Sequence, residues 1–178
     1  MREPKLIWQL FPINILILMG AMLAVAWYGT HSLRIFYINQ MTANLKSQSH
    51  LIQPQVEQML ASKSFASLAD YCTQAKKRVP TRLTVIDLQG KVLCDSDRDP
   101  ASMENHADRP EIIRAVNGEV GISQRYSATT KQDMLYVAIA VFNDNKPNGV
   151  LRTSIPLTAI NKELRHFFAR MAFGLLVV

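Results

Sequence analysis

Thr81-Arg82-Leu83-Thr84-Val85-Ile86-Asp87-Leu88-Gln89-Gly90-Lys91-Val92-Leu93-Cys94 is the stretch on which the fold turns. Thr81 to Asp87 is rich in β-branched side chains, Leu88-Gln89-Gly90 supplies a turn, and Lys91 to Cys94 returns, so the segment predicts a β-hairpin. Downstream, Asp95 to Asn117 is polar and irregular until Pro110. That proline opens a short helix carrying Ile112, Ile113, Ala115 and Val116, closed by Gly118. Three further strands are expected at Gly121 to Ser127, Met134 to Phe142 and Gly149 to Ile155, with a turn over Asn143 to Asn148. Two strands, a helical excursion and three strands make an α+β domain on an antiparallel sheet.

Upstream of the hairpin the spacing is helical. Ser64 to about Lys77 carries Phe65, Leu68, Ala69 and Cys72 on one stripe, and Lys76-Lys77-Arg78 complements the dipole at its carboxyl end. Ile38, Met41, Leu45, Ile52 and Met59 fall on threes and fours, with Gln48 and Gln55 at the seam. This pattern serves equally a helix pairing with its copy in a homodimer and one packed on its own domain. Pro54 is expected to kink or restart it, since proline removes a backbone donor.

The run Leu6 to Thr30 carries no charge. As a helix Leu6 to Tyr28 rises roughly 35 Å, enough for a hydrocarbon core of about 30 Å. Ala24-Val25-Ala26 fits a signal-peptidase site, but the run exceeds the usual apolar length of about 7 to 15 residues, which favours an uncleaved anchor. Arg2 and Lys5 place the amino terminus in the cytoplasm and the middle of the chain outside it. Met171 to Val178 is too short to span, so the chain reads as a fragment ending inside a second membrane helix. The expected divisions are a cytoplasmic tail 1–5, a transmembrane helix 6–30, a helical region 31–78, a sheet domain 79–157, an exit helix 158–166, and a second transmembrane start 167–178.

The formal charge of +6 over 178 residues is spread from Arg34 to Arg170 among Asp95, Asp97, Asp99, Asp108 and Glu111. No alternation of aromatic and basic residues and no recognition-helix motif accompanies it, so a nucleic-acid partner is not expected. An oxidising compartment permits a Cys72 to Cys94 disulfide, and two buried thiols remain the alternative.

The central residues resemble the extracytoplasmic sensor region of bacterial membrane histidine kinases, most nearly the phosphate-regulon (PhoR-type) and related cell-wall sensors. The resemblance runs through Arg82 to Asp87, Gly90-Lys91-Val92-Leu93, Asp95-Ser96, Met103-Glu104-Asn105-His106, Arg109-Pro110-Glu111, Arg125-Tyr126-Ser127, Met134 to Ala138 and Gly149-Val150-Leu151-Arg152. It implies a PAS-like single Cache fold with sheet order 2-1-5-4-3 and a long amino-terminal helix. It also implies a homodimer in the plasma membrane, with a parent that phosphorylates a histidine from ATP and passes the phosphoryl group to a response regulator. Components of a phosphate transporter are implied as further partners. The chain itself has neither an ATP-cradling glycine loop nor a phospho-acceptor helix. No cofactor and no catalytic residue is therefore expected in it, and a chemotaxis receptor, a cyclic-dinucleotide enzyme or a kinase-less regulator remains an alternative parent.

Candidate ligand-binding or structural positions are Arg82, Asp95, Ser96, His106, Arg109, Glu111, Arg125, Tyr136 and Arg152. Asp95, Asp97 and Asp99 resemble the opening of a calcium loop, but Pro100 and His106 stand where glycine and a bidentate glutamate are needed, so turn capping is expected instead of a metal. His106, Arg109 and Glu111 are expected to form one ionic cluster, either bracing the loop or walling a small-ligand or proton-sensing pocket. Ser96 and His106 lack a nucleophile elbow and do not read as a hydrolase pair. Arg82, Arg125 and Arg152 sit on strands and can converge on an anion, although the resemblance implies that phosphate is sensed through the transporter.

Overall fold

The protein is described from a computed structural model covering residues 6–128 and 130–158. The expected tail 1–5, the exit helix beyond Thr158 and the apolar stretch 167–178 lie outside these residues. The chain divides into two units, one up to Ile38 and one from Asn39 onward. Helix α1 spans Leu6–Ala61. In its first part the apolar side chains face outward, with Leu16 at 67 % and Trp27 at 72 % exposure. Such a surface suits hydrocarbon and not water. By length and composition this is a helix able to cross a membrane.

The second unit is a five-stranded antiparallel sheet in the order β2-β1-β5-β4-β3. The strands are β1 (Arg82–Ile86), β2 (Val92–Asp95), β3 (Gly121–Ser127), β4 (Gln132–Asn143) and β5 (Lys146–Pro156). The β1–β2 turn depends on Gly90, whose φ of +84° only glycine adopts readily, and whose missing Cβ leaves room for the backbone of Ala107. The β4–β5 turn is tighter than the sequence predicts. Asp144 and Asn145 both take left-handed φ (49° and 62°), so the strands pair up to Asn143 and Lys146.

Side chains alternate across the sheet, and each face packs on helix. On one face Leu83, Val85, Cys94, Ile139, Val141 and Leu151 meet Val56 and Leu60 of α1 and Leu68 and Cys72 of α2 (Phe65–Arg78). On the other, Ile86, Val92, Ala138 and Val150 meet Ile112 and Ala115 of α3 (Pro110–Val116). The α1 stripe Leu45, Ser49, Ile52, Val56 and Leu60 thus packs on the chain's own sheet, with Ser49 Oγ 2.9 Å from Thr153 Oγ1. Pro54 does not restart the helix, which runs unbroken to Ala61. The buried positions on either side of it, Ser49 and Val56, hold the helix to the sheet and compensate the lost donor. The buried stripe of α2 is also displaced from expectation. It is built on Leu68 and Cys72 with Tyr71 and Ala75 beside them, while Phe65 is 53 % exposed.

Cys72 and Cys94 are joined in a disulfide, with both residues buried and their Cα atoms 6.3 Å apart. It ties α2 to β2 across a separation of 22 residues. Closing a loop of that length restricts the unfolded chain by about 3 kcal/mol. The double Cys72→Ala, Cys94→Ala variant is accordingly expected to lose about that much stability in urea titration. In protein isolated without reductant, both thiols should resist alkylation until the chain is unfolded and reduced.

Candidate functional site: an arginine-lined cavity on the sheet

The face of the sheet that carries α3 is apolar at one end and charged at the other. Alternation along β1 puts Arg82 and Thr84 on that face, β5 adds Arg152, β4 adds Tyr136 and β3 adds Arg125, all beside the loop from Asp95 to Arg109. Register places Thr84 opposite both Asp95 and Arg152, and Tyr136 opposite both Ser154 and Ser123. Together these elements enclose a cavity of about 450 Å³. Its walls include Arg82, His106, Arg109, Arg125, Tyr136 and Arg152, with Arg98, Met103, Glu104 and Lys131 at other points.

Each buried guanidinium has a carboxylate, but not enough acceptors. Arg82, 4 % exposed, donates through Nε to both oxygens of Asp95 at 3.0 Å. Asp95 also accepts from Thr84 Oγ1 at 2.8 Å and from the backbone N–H groups of Asp97 and Arg98 at 2.9 and 3.0 Å. Its oxygens are consumed in this turn, which is the capping role predicted for it. Ser96 Oγ accepts from Leu83 N at 3.0 Å, and Asp99 caps the 3-10 turn Pro100–Ser102 through Ala101 N.

Glu111, fully buried at the start of α3, receives Arg125 Nη2 at 2.7 Å and Arg152 Nη1 at 3.4 Å. Burial pushes its pKa up, but the hydrogen bond and charge of Arg125, helped by Arg152, more than offset this and hold it below the usual carboxylate value. Arg125 and Arg152 flank the Tyr136 ring, their guanidinium carbons 4.3 and 5.0 Å from its centroid. Arg152 is 2 % exposed; burial, only partly offset by Glu111 and Tyr136, lowers its pKa. Even so, a guanidinium keeps its charge. Arg82 Nη2, Arg152 Nε and His106 Nδ1 have no hydrogen-bond partner. Unpaired buried polar atoms are costly, and with Arg109 Nε, which likewise lacks a hydrogen bond, four of them belong to residues lining this cavity.

The expected His106–Arg109–Glu111 cluster does not form. His106 and Arg109 line the cavity, but Arg109 pairs with the outer carboxylates Glu104 and Asp108, both at 3.4 Å. Glu111 turns instead to β3 and β5. Residues two apart at a helix start lie on different sides, so Arg109 and Glu111 cannot brace each other. Thr84, Arg98 and Lys131 were not singled out by the sequence. The signal for Thr84 was present, since it lies two residues from Arg82 on the same face of β1.

His106 is held neutral. Burial, reinforced by the nearby charge of Arg152, lowers its pKa from 6.5 to about 4. A group whose pKa is depressed by folding binds its proton more readily in the unfolded chain. Its contribution is therefore complete above pH 6.5 and lost as the pH falls toward 4. Stability should drop by about 3 kcal/mol over that window, and a His106→Asn variant should show a flatter profile in urea titrations at pH 4 to 7. Equal slopes in both proteins would refute the assignment.

The single Cache-like family model matches residues 36–156, from the outer part of α1 to the end of β5. The chain belongs to the single Cache-like family. Cache domains are extracytoplasmic sensor domains of membrane receptors. Among solved structures, the Cache fold of this chain is similar to the sensor domain of the Vibrio cholerae histidine kinase DctB (TM-score 0.62, 22 % identity, 77 % of this chain and 58 % of that one). It is also similar to the Escherichia coli DcuS sensor domain (TM-score 0.55, 14 % identity, 72 % and 97 % covered). A third likeness is to the ligand-binding domain of the Campylobacter jejuni chemoreceptor Tlp3 in complex with L-valine (TM-score 0.52, 15 % identity, 82 % and 65 % covered). The Cache fold therefore spans 58 % of the DctB chain and nearly all of the DcuS chain. No curated protein sequence matches the chain.

Proposed function

We propose that this chain is the input portion of a membrane sensor histidine kinase, anchored by residues 6–30, with its Cache domain outside the cytoplasm and the arginine-lined cavity taking a small anion. The observation that carries this reading is the set of unpaired N–H groups on the buried Arg82 and Arg152, in a wall where cations outnumber carboxylates. The disulfide supports the extracytoplasmic placement, since such bonds seldom persist in a reducing cytosol. An anion bridging β1, β5 and β3 would shift the population between two packings of the domain. A coupling of about 1 to 3 kcal/mol would change output about five- to 150-fold if activity follows that population. The cytoplasmic half of such a parent would use ATP and a response regulator, and the receptor would act as a homodimer.

The phosphate-regulon assignment rests on the sequence resemblance alone. A chemoreceptor parent is the second reading, favoured by the likeness to Tlp3, whose domain was solved with L-valine. An amino acid needs an acidic partner for its ammonium. Here the carboxylate on the cavity wall is Glu104, 85 % exposed and already paired with Arg109. Calorimetry on the full chain in detergent micelles should therefore show binding of succinate or inorganic phosphate and none of L-valine. The reverse order would move the reading to the amino-acid class. Protease added to intact cells should cut between residues 31 and 157, and protection of that region would sink the topology.

A further inference from the structure

Glu111 stands apart from the other charges around the cavity. Its hydrogen bonds to other side chains, among the described residues, are to Arg125 and Arg152: Arg125 Nη2 at 2.7 Å, Arg125 Nε at 3.4 Å and Arg152 Nη1 at 3.4 Å. Both arginines line the cavity, whereas Glu111 does not, and its side chain is 0 % exposed. The carboxylate therefore reaches the two guanidiniums from behind the wall, through α3. Asp95 is different, because Thr84 and two backbone N–H groups share it with Arg82 and fix it as a turn element. Apart from its own backbone N–H, the hydrogen bonds of the Glu111 carboxylate among the described residues go to arginines of the cavity wall.

A fixed negative charge in this position cancels part of the field that a ligand would feel. We propose that Glu111 is the specificity-determining residue of the cavity, a tethered counter-anion that sets how much ligand charge the site accepts. The proposal rests on the anion-sensor reading and deepens it. With Glu111 ionised, an incoming anion meets the unpaired N–H groups of Arg82 and Arg152 but only a fraction of the charge of Arg125 and Arg152. Without it, the same wall carries one more unit of positive charge in a site of low dielectric.

The charge argument gives a signature that a merely structural brace would not. An added positive charge acts twice as strongly on a dianion as on a monoanion and not at all on a net-neutral zwitterion. Calorimetry on the full chain in micelles at pH 8 should show Glu111→Gln binding acetate on the order of tenfold tighter than the parent. Succinate should gain by about the square of that factor, and L-valine should not gain. Glu104→Gln removes the same charge from an exposed position on the rim, where salt screens it, and should change succinate affinity by less than about twofold.

If Glu111→Gln unfolds in plain buffer, succinate at high concentration is expected to restore the fold, because a free carboxylate can take the place of the tethered one. Failure of that rescue overturns the proposal. So does a Glu111→Gln protein that binds succinate no tighter than the parent, or one whose affinity for acetate, succinate and L-valine rises equally. If the parent binds succinate and only the gain is missing, the anion-sensor reading survives and the role of Glu111 falls. If neither protein binds acetate, succinate or inorganic phosphate, the anion-sensor reading falls, and the proposal with it.

Discussion

Gly121→Ala is expected to lower the stability of the domain by about 3 to 5 kcal/mol, and its melting temperature by on the order of 10 °C. Gly121 opens β3 opposite Ala138, and the first turn of α3 lies directly on it. A Cβ at this position would run into the carbonyl oxygen, carbonyl carbon and Cα of Glu111. Those are backbone atoms and cannot swing aside as a side-chain tip can, so the helix start itself has to move. Moving it withdraws the Glu111 carboxylate from Arg125 and Arg152 and uncovers Ile112, which is 2 % exposed, and the fully buried Ala115. Breaking a buried ion pair from one side costs about 3 to 5 kcal/mol by itself, because the charges left behind are neither paired nor solvated. Gly29→Ala provides the contrast, since nothing lies within 4 Å of the site where its Cβ would stand. Scanning calorimetry of both variants in micelles checks this. Equal melting temperatures for Gly121→Ala and the parent would mean that α3 is not seated on β3 through this contact.

The same contact shows what could and could not be read before any coordinates. The hairpin was legible because its information is local: β-branched residues prefer the pleated strand, and Gly90 supplies the φ that a side chain resists. The antiparallel sheet followed from such segments, and its strand order only from the family resemblance. Strand ends were less legible at the β4–β5 turn, where Asn143 to Asn148 is polar enough to suggest a loop. There, cross-strand pairing around left-handed Asp144 and Asn145 outweighs composition. A restart at Pro54 did not occur for a related reason, because a one-residue rule carries no knowledge of a buried stripe that continues past it. In the site, the strand arginines Arg82, Arg125 and Arg152 could be brought near one another from the strand assignments and the implied topology. The partner of Glu111 could not. Sequence proximity pointed to Arg109, two residues away, while the guanidiniums that hold it come from β3 and β5, 14 and 41 positions on. Pairings of that kind are set by how α3 lies across the sheet, which no local pattern encodes. The Cys72–Cys94 disulfide is another such case, since it depends on the separation between α2 and β2.

Arg82→Met should cost about 3 to 5 kcal/mol in urea titration, and the reason is Asp95 more than the lost arginine. The Asp95 side chain is 0 % exposed and takes Arg82 Nε on both oxygens. Methionine fills much of the same volume, so the penalty comes from a carboxylate kept out of water without its cation. Thr84 Oγ1 and the N–H groups of Asp97 and Arg98 still solvate it in part, which argues for the lower half of the range. Adding Asp95→Asn should then recover at least about 1 kcal/mol, because a neutral amide keeps an acceptor for the turn and no longer needs a counter-charge. Strictly additive losses in the double variant would show that the two residues do not act as a pair. Whatever the recovery in stability, the double variant has lost Arg82 Nη2 from the cavity, so its affinity for a small anion should stay weakened while its fold returns. That separation between restored folding and unrestored binding would assign Arg82 two distinct jobs: one nitrogen for the turn at Asp95, and one for the ligand.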